Sequence, residues 1–303
     1  MFKILIADTI AKPGLEDLKK NPNFEVIEKT KITPEELTAE IGAYHALVVR
    51  SRTKVTAEMI EKADNMKLIV RGGVGTDNID KKAAQVKGIA VKNTPKASSI
   101  SVAELVMGML LSGVRELVDA TASTKLGKWE KKRFEGIEIF DKTLGIVGYG
   151  NIGKEIAKRA IGMGMHVLAY DPYVTSTDIS GVKLTNLDEV LRTSDFITLN
   201  CPKTDETKGL INEKSIEILK DGVGIINCSR GGIIDEVALK SAIDKGKVAF
   251  AGIDVYGTEP PDPSHPFFGM EKVILTPHVG AQTKEGQTRV AIEVAAVIND
   301  FFK

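Results

Sequence analysis

Short, unbroken apolar runs recur along the chain: Lys3–Ala7, Phe24–Glu28, Ala46–Val49, Leu68–Val70 and Ile89–Val91 in the first hundred residues, then Leu144–Val147, His166–Tyr170, Phe196–Leu199, Val223–Asn227, Val248–Ile253 and Val273–Leu275. Runs without polar alternation mark strands buried on both faces, as in a parallel sheet covered by helices. Segments with helical spacing, Glu16–Lys20, Pro34–Ile41 and Thr56–Ala63, alternate with the first set. The pattern predicts an α/β fold of two doubly wound parallel-sheet domains. Between the two series, Ser98–Ser101 reads as an N-cap, followed by Ala103, Leu105, Val106, Met109, Leu110, Val114 and Leu117 toward Thr124. One continuous buried helix is expected there, linking domains or packing on another subunit.

The second series opens on Leu144-Gly145-Ile146-Val147-Gly148-Tyr149-Gly150-Asn151-Ile152-Gly153, and its second strand leads to Asp171, 21 residues after Gly150. Strand, glycine turn, helix, strand and acid make up a dinucleotide-binding βαβ unit. Gly148 is expected to form the tight turn, Gly150 to admit a pyrophosphate against the backbone, and Gly153 to let helix and strand pack closely. The helix Ile152–Ile161 would offer its first N–H groups to the phosphate. Asp171 would accept the ribose hydroxyls and repel a 2′-phosphate, which favours NAD over NADP. Because the motif lies mid-chain, a domain is expected on either side of a ligand cleft.

Composition narrows the function. Lys plus Arg and Asp plus Glu both number 41 among 303 residues, so no net positive field draws nucleic acid or an anionic membrane. Cys201 and Cys228 are too few for a disulfide framework, and a cytoplasmic protein is expected. Met1–Asp8 suits a core strand better than a signal peptide, and the apolar helix around Leu105–Val114 is about half the length needed to cross a bilayer. No residues have metal-ligand spacing, so no metal is expected, and no Gly-x-Ser-x-Gly elbow supports a serine hydrolase.

Polar residues follow several of the apolar runs. Arg230, in Asn227–Gly232, could grip a carboxylate with both arms of its fork. His278, in Thr276–Ala281, is the candidate base for an alcohol proton, and Glu259, in Asp254–Pro261, could hold its imidazole in one tautomer. By spacing alone, Arg230 and Glu259 could equally be a structural ion pair, and His45, His166 and His265 read as structural. Arg50 and Arg71 each follow a strand of the first series, either as cations for a phosphate or as solvated surface residues. Backbone N–H groups at Gly73 and Val74 could cradle a carboxylate.

In order and spacing, Gly148–Gly153, Asn227–Gly232, Thr258–Pro261 and Pro277–Ala281 resemble the D-2-hydroxyacid dehydrogenase family, over essentially the whole chain. The resemblance implies His278 as acid/base, Glu259 as its polarising partner and Arg230 at the substrate carboxylate and carbonyl. It implies NAD contacts at Gly148, Gly150, Asn151, Ile152, Gly153, Asp171, Cys201, Cys228, Ser229, Asp254, Gly280, Ala281 and Val74. Substrate contacts are implied at Arg50, Arg71, Gly73, Val74 and Arg230. Val49–Thr56, Val70–Asp80 and Gly127–Phe134 resemble members that oxidise 3-phospho-D-glycerate to 3-phosphooxypyruvate, the first step of serine synthesis. Reductases of glyoxylate, hydroxypyruvate or other 2-oxo acids are the alternative, and an NADH-sensing, peptide-binding scaffold is a remote one.

Also implied are a discontinuous substrate-binding domain, 1–97 with 283–303, an NAD-binding Rossmann domain, 98–282, and a homodimer. The basic run Lys131–Arg133 would either reach the partner's cleft or be solvated. The chain ends at Lys303, short of a C-terminal regulatory domain, so serine feedback by that route is not expected. Cys201 departs from the threonine that relatives commonly carry before proline.

Overall fold

The first five apolar runs become strands β1 (Phe2–Ile6), β2 (Phe24–Glu28), β3 (Ala46–Val49), β4 (Leu68–Arg71) and β5 (Ala90–Asn93) in the computed structural model, which describes residues 1–303. All pair in parallel, in the order β2-β1-β3-β4-β5. Helices α1 (Lys12–Lys20), α2 (Pro34–Glu40), α3 (Ala57–Glu61) and α4 (Lys81–Val86) connect them. Three start on a side-chain cap: Thr33, Thr56 and Asp80 accept the N–H of Glu36, Met59 and Ala83. The sequence reading missed α4, whose six residues give little periodicity and whose only start signal was Asp80. Met1–Ser99 and Ala281–Lys303 form one compact unit, because the terminal helix Lys284–Phe301 buries Val290, Ala291, Val294, Ala295 and Ile298 with strand residues such as Ile4, Ile6 and Val70.

Ile100–Gly280 form the second unit. Its elements are α5 (Ser99–Val114), α6 (Leu117–Lys125), β6 (Thr143–Val147), α7 (Asn151–Gly162), β7 (His166–Tyr170), β8 (Val182–Leu184), α8 (Leu187–Thr193), β9 (Phe196–Leu199), α9 (Glu213–Ile218), β10 (Val223–Asn227), α10 (Glu236–Asp244), β11 (Val248–Ile253) and β12 (Val273–Leu275), before the terminal helix α11. The parallel sheet runs β12-β11-β10-β9-β6-β7-β8. Counted from β6, that is the doubly wound Rossmann order with one strand added at the β12 edge. The order reverses between β6 and β9, and in the first sheet between β1 and β3. These are the switch points where open α/β sheets bind ligands, beyond the carboxyl ends of the strands. The short strand β8 was also missed in the sequence.

The single long helix expected from Ser98 to Thr124 is instead two helices. The Val114 carbonyl, which would continue the ladder, accepts the N–H of Ile137 at 3.0 Å, and Glu116 turns left-handed at φ 47°. A returning loop thus ends α5, and α6 restarts at Leu117. No helix is long and apolar enough to cross a membrane.

Candidate active site

At the cofactor end, β6 runs into Gly148, which has φ 93° and lies against the chain leaving β9: a Cβ there would be 2.6 Å from the Asn200 carbonyl carbon. The glycine turn therefore sits at the β6/β9 switch point. A Cβ on Gly153 would fall 2.4 Å from the Gly148 carbonyl oxygen, so helix α7 can approach the turn only without one. Gly150 differs, since a Cβ there would meet nothing within 4 Å. Gly150 is the N-cap of α7 and makes no side-chain cap bond, so open space faces the first turn of a twelve-residue helix. That arrangement fits a pyrophosphate. Asp171, just past β7, accepts the N–H groups of Tyr149 and Tyr173, each at 2.9 Å. Each oxygen keeps a lone pair for a ribose hydroxyl. Tyr149 is fully buried, and its phenol meets the Thr177 hydroxyl at 2.9 Å, so it holds both ends of the loop after the acid.

At the chemistry end, three loops follow β10, β11 and β12. After β10, the buried Asn227 side chain accepts the Ser229 N–H and hydroxyl (3.0 and 2.8 Å) and donates to the Arg230 carbonyl (2.9 Å), shaping the turn that carries Arg230. Gly231 is required there, because a Cβ would lie 1.8 Å from the Tyr256 carbonyl oxygen. After β11, Asp254 is completely buried and accepts from the Thr276 hydroxyl (2.6 Å), the Val279 N–H (2.8 Å) and the Gly280 N–H (2.9 Å). This carboxylate holds the loop after β12, on which His278 sits. His278 Nδ1 meets Glu259 Oε2 at 2.7 Å, and Glu259 Oε1 accepts the Tyr256 N–H at 3.2 Å.

The geometry sets the tautomer: Nδ1–H donates to the carboxylate, leaving Nε2 as the proton acceptor. Burial pushes the Glu259 carboxyl upward, but the hydrogen bond and charge of His278, the Tyr256 N–H and the Arg230 charge outweigh it, so it lies below the usual carboxylate range. The site therefore holds a carboxylate-supported imidazole. An apolar pocket of about 450 Å³ adjoins this pair, lined by Tyr256, Pro260, Pro261, Phe268, Leu275 and Pro277.

In the first unit, Arg50 follows β3 and Arg71 ends β4, the neighbouring strand, and both pack on the Gly72–Gly73 turn. Arg50 Cγ lies 3.5 Å from where a Gly72 Cβ would be, and Arg71 Nη1 occupies the place of a Gly73 Cβ at 1.6 Å. Arg71 donates to the Ser51 hydroxyl at 3.1 Å. Arg50 donates from Nη1 to Gln287 of α11, while its buried Nε has no hydrogen-bond partner. Burial lowers the Arg50 pKa against the pull of Asp8, but from so high a starting value that the charge stays. Arg52 is committed elsewhere, to Asp8 (2.9 Å) and the Ala7 carbonyl (2.6 Å). Asp8, buried two residues past β1, also accepts the Arg50 N–H (2.6 Å) and the Thr53 hydroxyl (2.8 Å). Asn78 completes the loop by donating to the Arg50 and Thr53 carbonyls, both at 2.7 Å. The Gly73 and Val74 carbonyls are held by the Thr94 N–H and by Asn93.

Other expected residues also have partners within the protein. Asp254, expected among the cofactor contacts, has no exposed surface and anchors the His278 loop. Cys228 is buried against the Met109 sulfur at 3.7 Å, and burial drives its thiol pKa far up. Cys201 is only partly exposed, and burial pushes its thiol up to about 11. Arg133 of the basic run is paired within its own chain, with Glu271 at 3.1 Å and Glu130 at 3.6 Å. His45 accepts the Lys3 N–H, His166 pairs with Asp141, and His265 pairs with Glu236. Sequence reasoning did not single out Asp8, Asn78, Asn227, Tyr149, Tyr256 or Gln287. The only available signal was a polar residue closing an apolar run, which Asp8 and Asn227 both show.

Residues 107–280 match the model of the D-isomer specific 2-hydroxyacid dehydrogenase NAD-binding domain. The chain is 46% identical to a D-3-phosphoglycerate dehydrogenase of Archaeoglobus fulgidus over 100% of its own length, but spans only 58% of that relative. It is also 46% identical to a hydroxypyruvate reductase of Thermotoga maritima, over 98% of this chain and 97% of the relative. Among solved structures, D-lactate dehydrogenase from Aquifex aeolicus, complexed with NAD and lactic acid, superposes with a TM-score of 0.85 at 30% identity, over 99% of this chain and 95% of that one.

Proposed function

Because the chain belongs to the D-isomer-specific 2-hydroxyacid dehydrogenases and carries their NAD-binding domain, we propose that it oxidises 3-phospho-D-glycerate to 3-phosphooxypyruvate with NAD, the first step of serine synthesis. One observation carries the substrate choice: Arg50 and Arg71 stand at the carboxyl ends of adjacent strands and pack on one glycine turn. A dianionic phosphate is the ligand that two such forks suit.

When bound, NAD supplies the hydride acceptor at its nicotinamide ring. His278 Nε2 takes the proton of the substrate hydroxyl, and Glu259 stabilises the imidazolium that results. In ketone reduction the same pair returns the proton. Arg230 holds the carboxylate, with the N–H groups of Gly73 and Val74, while Arg50 and Arg71 hold the phosphate.

The test compares Arg71→Ala with wild type on 3-phospho-D-glycerate and on unphosphorylated D-glycerate. Loss of a charge-assisted contact worth about 1.5–3 kcal/mol should cut kcat/KM on the phosphorylated substrate by roughly 10- to 150-fold and leave the other nearly unchanged. Equal losses on both would sink the phosphate assignment. The second reading, reduction of hydroxypyruvate or glyoxylate, is favoured by the Thermotoga maritima relative of matching length. A higher kcat/KM on hydroxypyruvate than on its phosphorylated counterpart would select it.

The same proposal includes a homodimer in the cytoplasm. Leu117, Val118, Leu126, Trp129, Ile137 and Phe140 are all exposed large apolar residues within one short segment, the kind of patch that a second copy covers. Sedimentation equilibrium should give twice the chain mass, falling toward one chain in Trp129→Glu. A monomeric wild type would refute it. The free thiols of Cys201 and Cys228 suit a reducing compartment, which cell fractionation checks.

A further inference from the structure

Tyr256 lies just beyond β11 and is only 7% exposed. Its main-chain N–H donates to Glu259 Oε1 at 3.2 Å, and its phenol donates to the Thr276 carbonyl at 3.0 Å. That carbonyl also accepts the N–H of His278, at 3.1 Å. One tyrosine therefore grips the carboxylate of the acid/base pair directly, and the backbone of the histidine through a single shared oxygen. His278 depends on such a grip, because its φ of 53° lies in the left-handed region, which L-residues leave when the surroundings allow.

Two further contacts fix Tyr256 itself. Its carbonyl lies against Gly231, next to Arg230, and its ring meets His265 edge-on, with centroids 5.5 Å apart at 88°. His265 Nδ1 accepts the Phe267 N–H at 3.4 Å, so Nε2–H donates to Glu236 at 3.0 Å. This second histidine–carboxylate pair uses the other ring nitrogen, Nε2, where the His278 pair uses Nδ1. Its Nδ1 is taken by backbone and its side chain is nearly buried, which makes it a brace for the ring.

We propose that Tyr256 is a positioning residue for the reaction, holding Glu259, His278 and the Arg230 loop in one register through its N–H, phenol and carbonyl. The proposal rests on the acid/base reading of His278 given above. The charged and titratable groups around the phenol and the pair are Asp254, Glu236, Glu259, Arg230, His265 and His278. Burial first, then the charges of Asp254, Glu259 and Glu236, raise the phenol's pKa, so it remains a donor wherever the reaction runs.

Tyr256→Phe deletes only the phenol oxygen and keeps the ring on His265. Assayed in the direction the wild type turns over, with 3-phospho-D-glycerate and NAD or hydroxypyruvate and NADH, the variant should lose roughly 10- to 100-fold in kcat, as expected for a small displacement of a proton-transfer group. KM for the nucleotide should stay within about twofold, because the glycine turn is untouched. Fluorescence of bound NADH reports that the unit is folded. Should the variant not bind NADH, Glu236→Gln loosens the brace more gently and should lower kcat in the same direction. Unchanged kcat, with only a lower unfolding temperature, would overturn the proposal. His278→Asn separates the two ideas: if it retains turnover, the acid/base reading fails. If it is inactive while Tyr256→Phe is normal, only the positioning role fails.

Discussion

The glycine turn after β6 and the loops after β10, β11 and β12 both present a carboxylate clasped by a tyrosine N–H, Asp171 by Tyr149 and Glu259 by Tyr256. In both, the same tyrosine's phenol reaches a threonine further on, the Thr177 hydroxyl or the Thr276 carbonyl. The two regions are otherwise built by different means. The cofactor end is shaped by side chains that are missing, since Gly148 and Gly153 let strand, turn and helix close on one another. The chemistry end is shaped by buried side chains that are present. Asn227 shapes the turn that carries Arg230, and Asp254 ties the loop after β11 to the loop after β12. A phosphate is bound by backbone, so the first region needs room, whereas proton transfer needs an imidazole at a set place, so the second needs tethers.

That difference is open to direct attack. The largest effect is expected from a pair of alanine substitutions, one in each region. Gly231→Ala puts a methyl group 1.8 Å from the Tyr256 carbonyl oxygen and should cut kcat by about 100-fold or more, with nucleotide affinity kept. Gly153→Ala, whose methyl would lie 2.4 Å from the Gly148 oxygen, should instead weaken NADH binding by roughly tenfold, near 1.4 kcal/mol. Titration of NADH fluorescence beside steady-state kinetics reads both. If the two variants lose the same parameter, the two ends are not separately built. A smaller effect is expected from Asp254→Asn, which keeps the shape but turns an amide toward an N–H donor. It should cost about 1–3 kcal/mol in thermal unfolding and lower kcat more than NADH affinity. A variant that melts normally and turns over normally would show that the tether is dispensable.

The same contrast explains what could be read from the chain. The parallel strands were legible because burial on both faces writes itself as an apolar run, and β2, β3, β7, β9, β10, β11 and β12 have the expected bounds. The glycine turn was legible because its spacing is local. Where structure depends on a partner distant in sequence, the chain gave no sign. The Val114 carbonyl is captured by Ile137, so an apolar stretch that looks like one helix is two. Asp254 follows a strand as a ligand-binding acid would, and its part in anchoring the His278 loop shows only in the three donors around it. Arg50 and Arg52 look equivalent in Arg50-Ser51-Arg52, yet Asp8 takes the Arg52 side chain, whereas only the Arg50 main chain bonds to it.

His278 occupies backbone that histidine, asparagine and aspartate tolerate better than most residues. The position is thus open to a narrow set of replacements that keep the loop in place, and the nearest of them, asparagine, has no proton to exchange at neutral pH. On the proposed role of His278, one substitution therefore removes the proton transfer while the glycine turn after β6, on another strand of the same sheet, is left as it is.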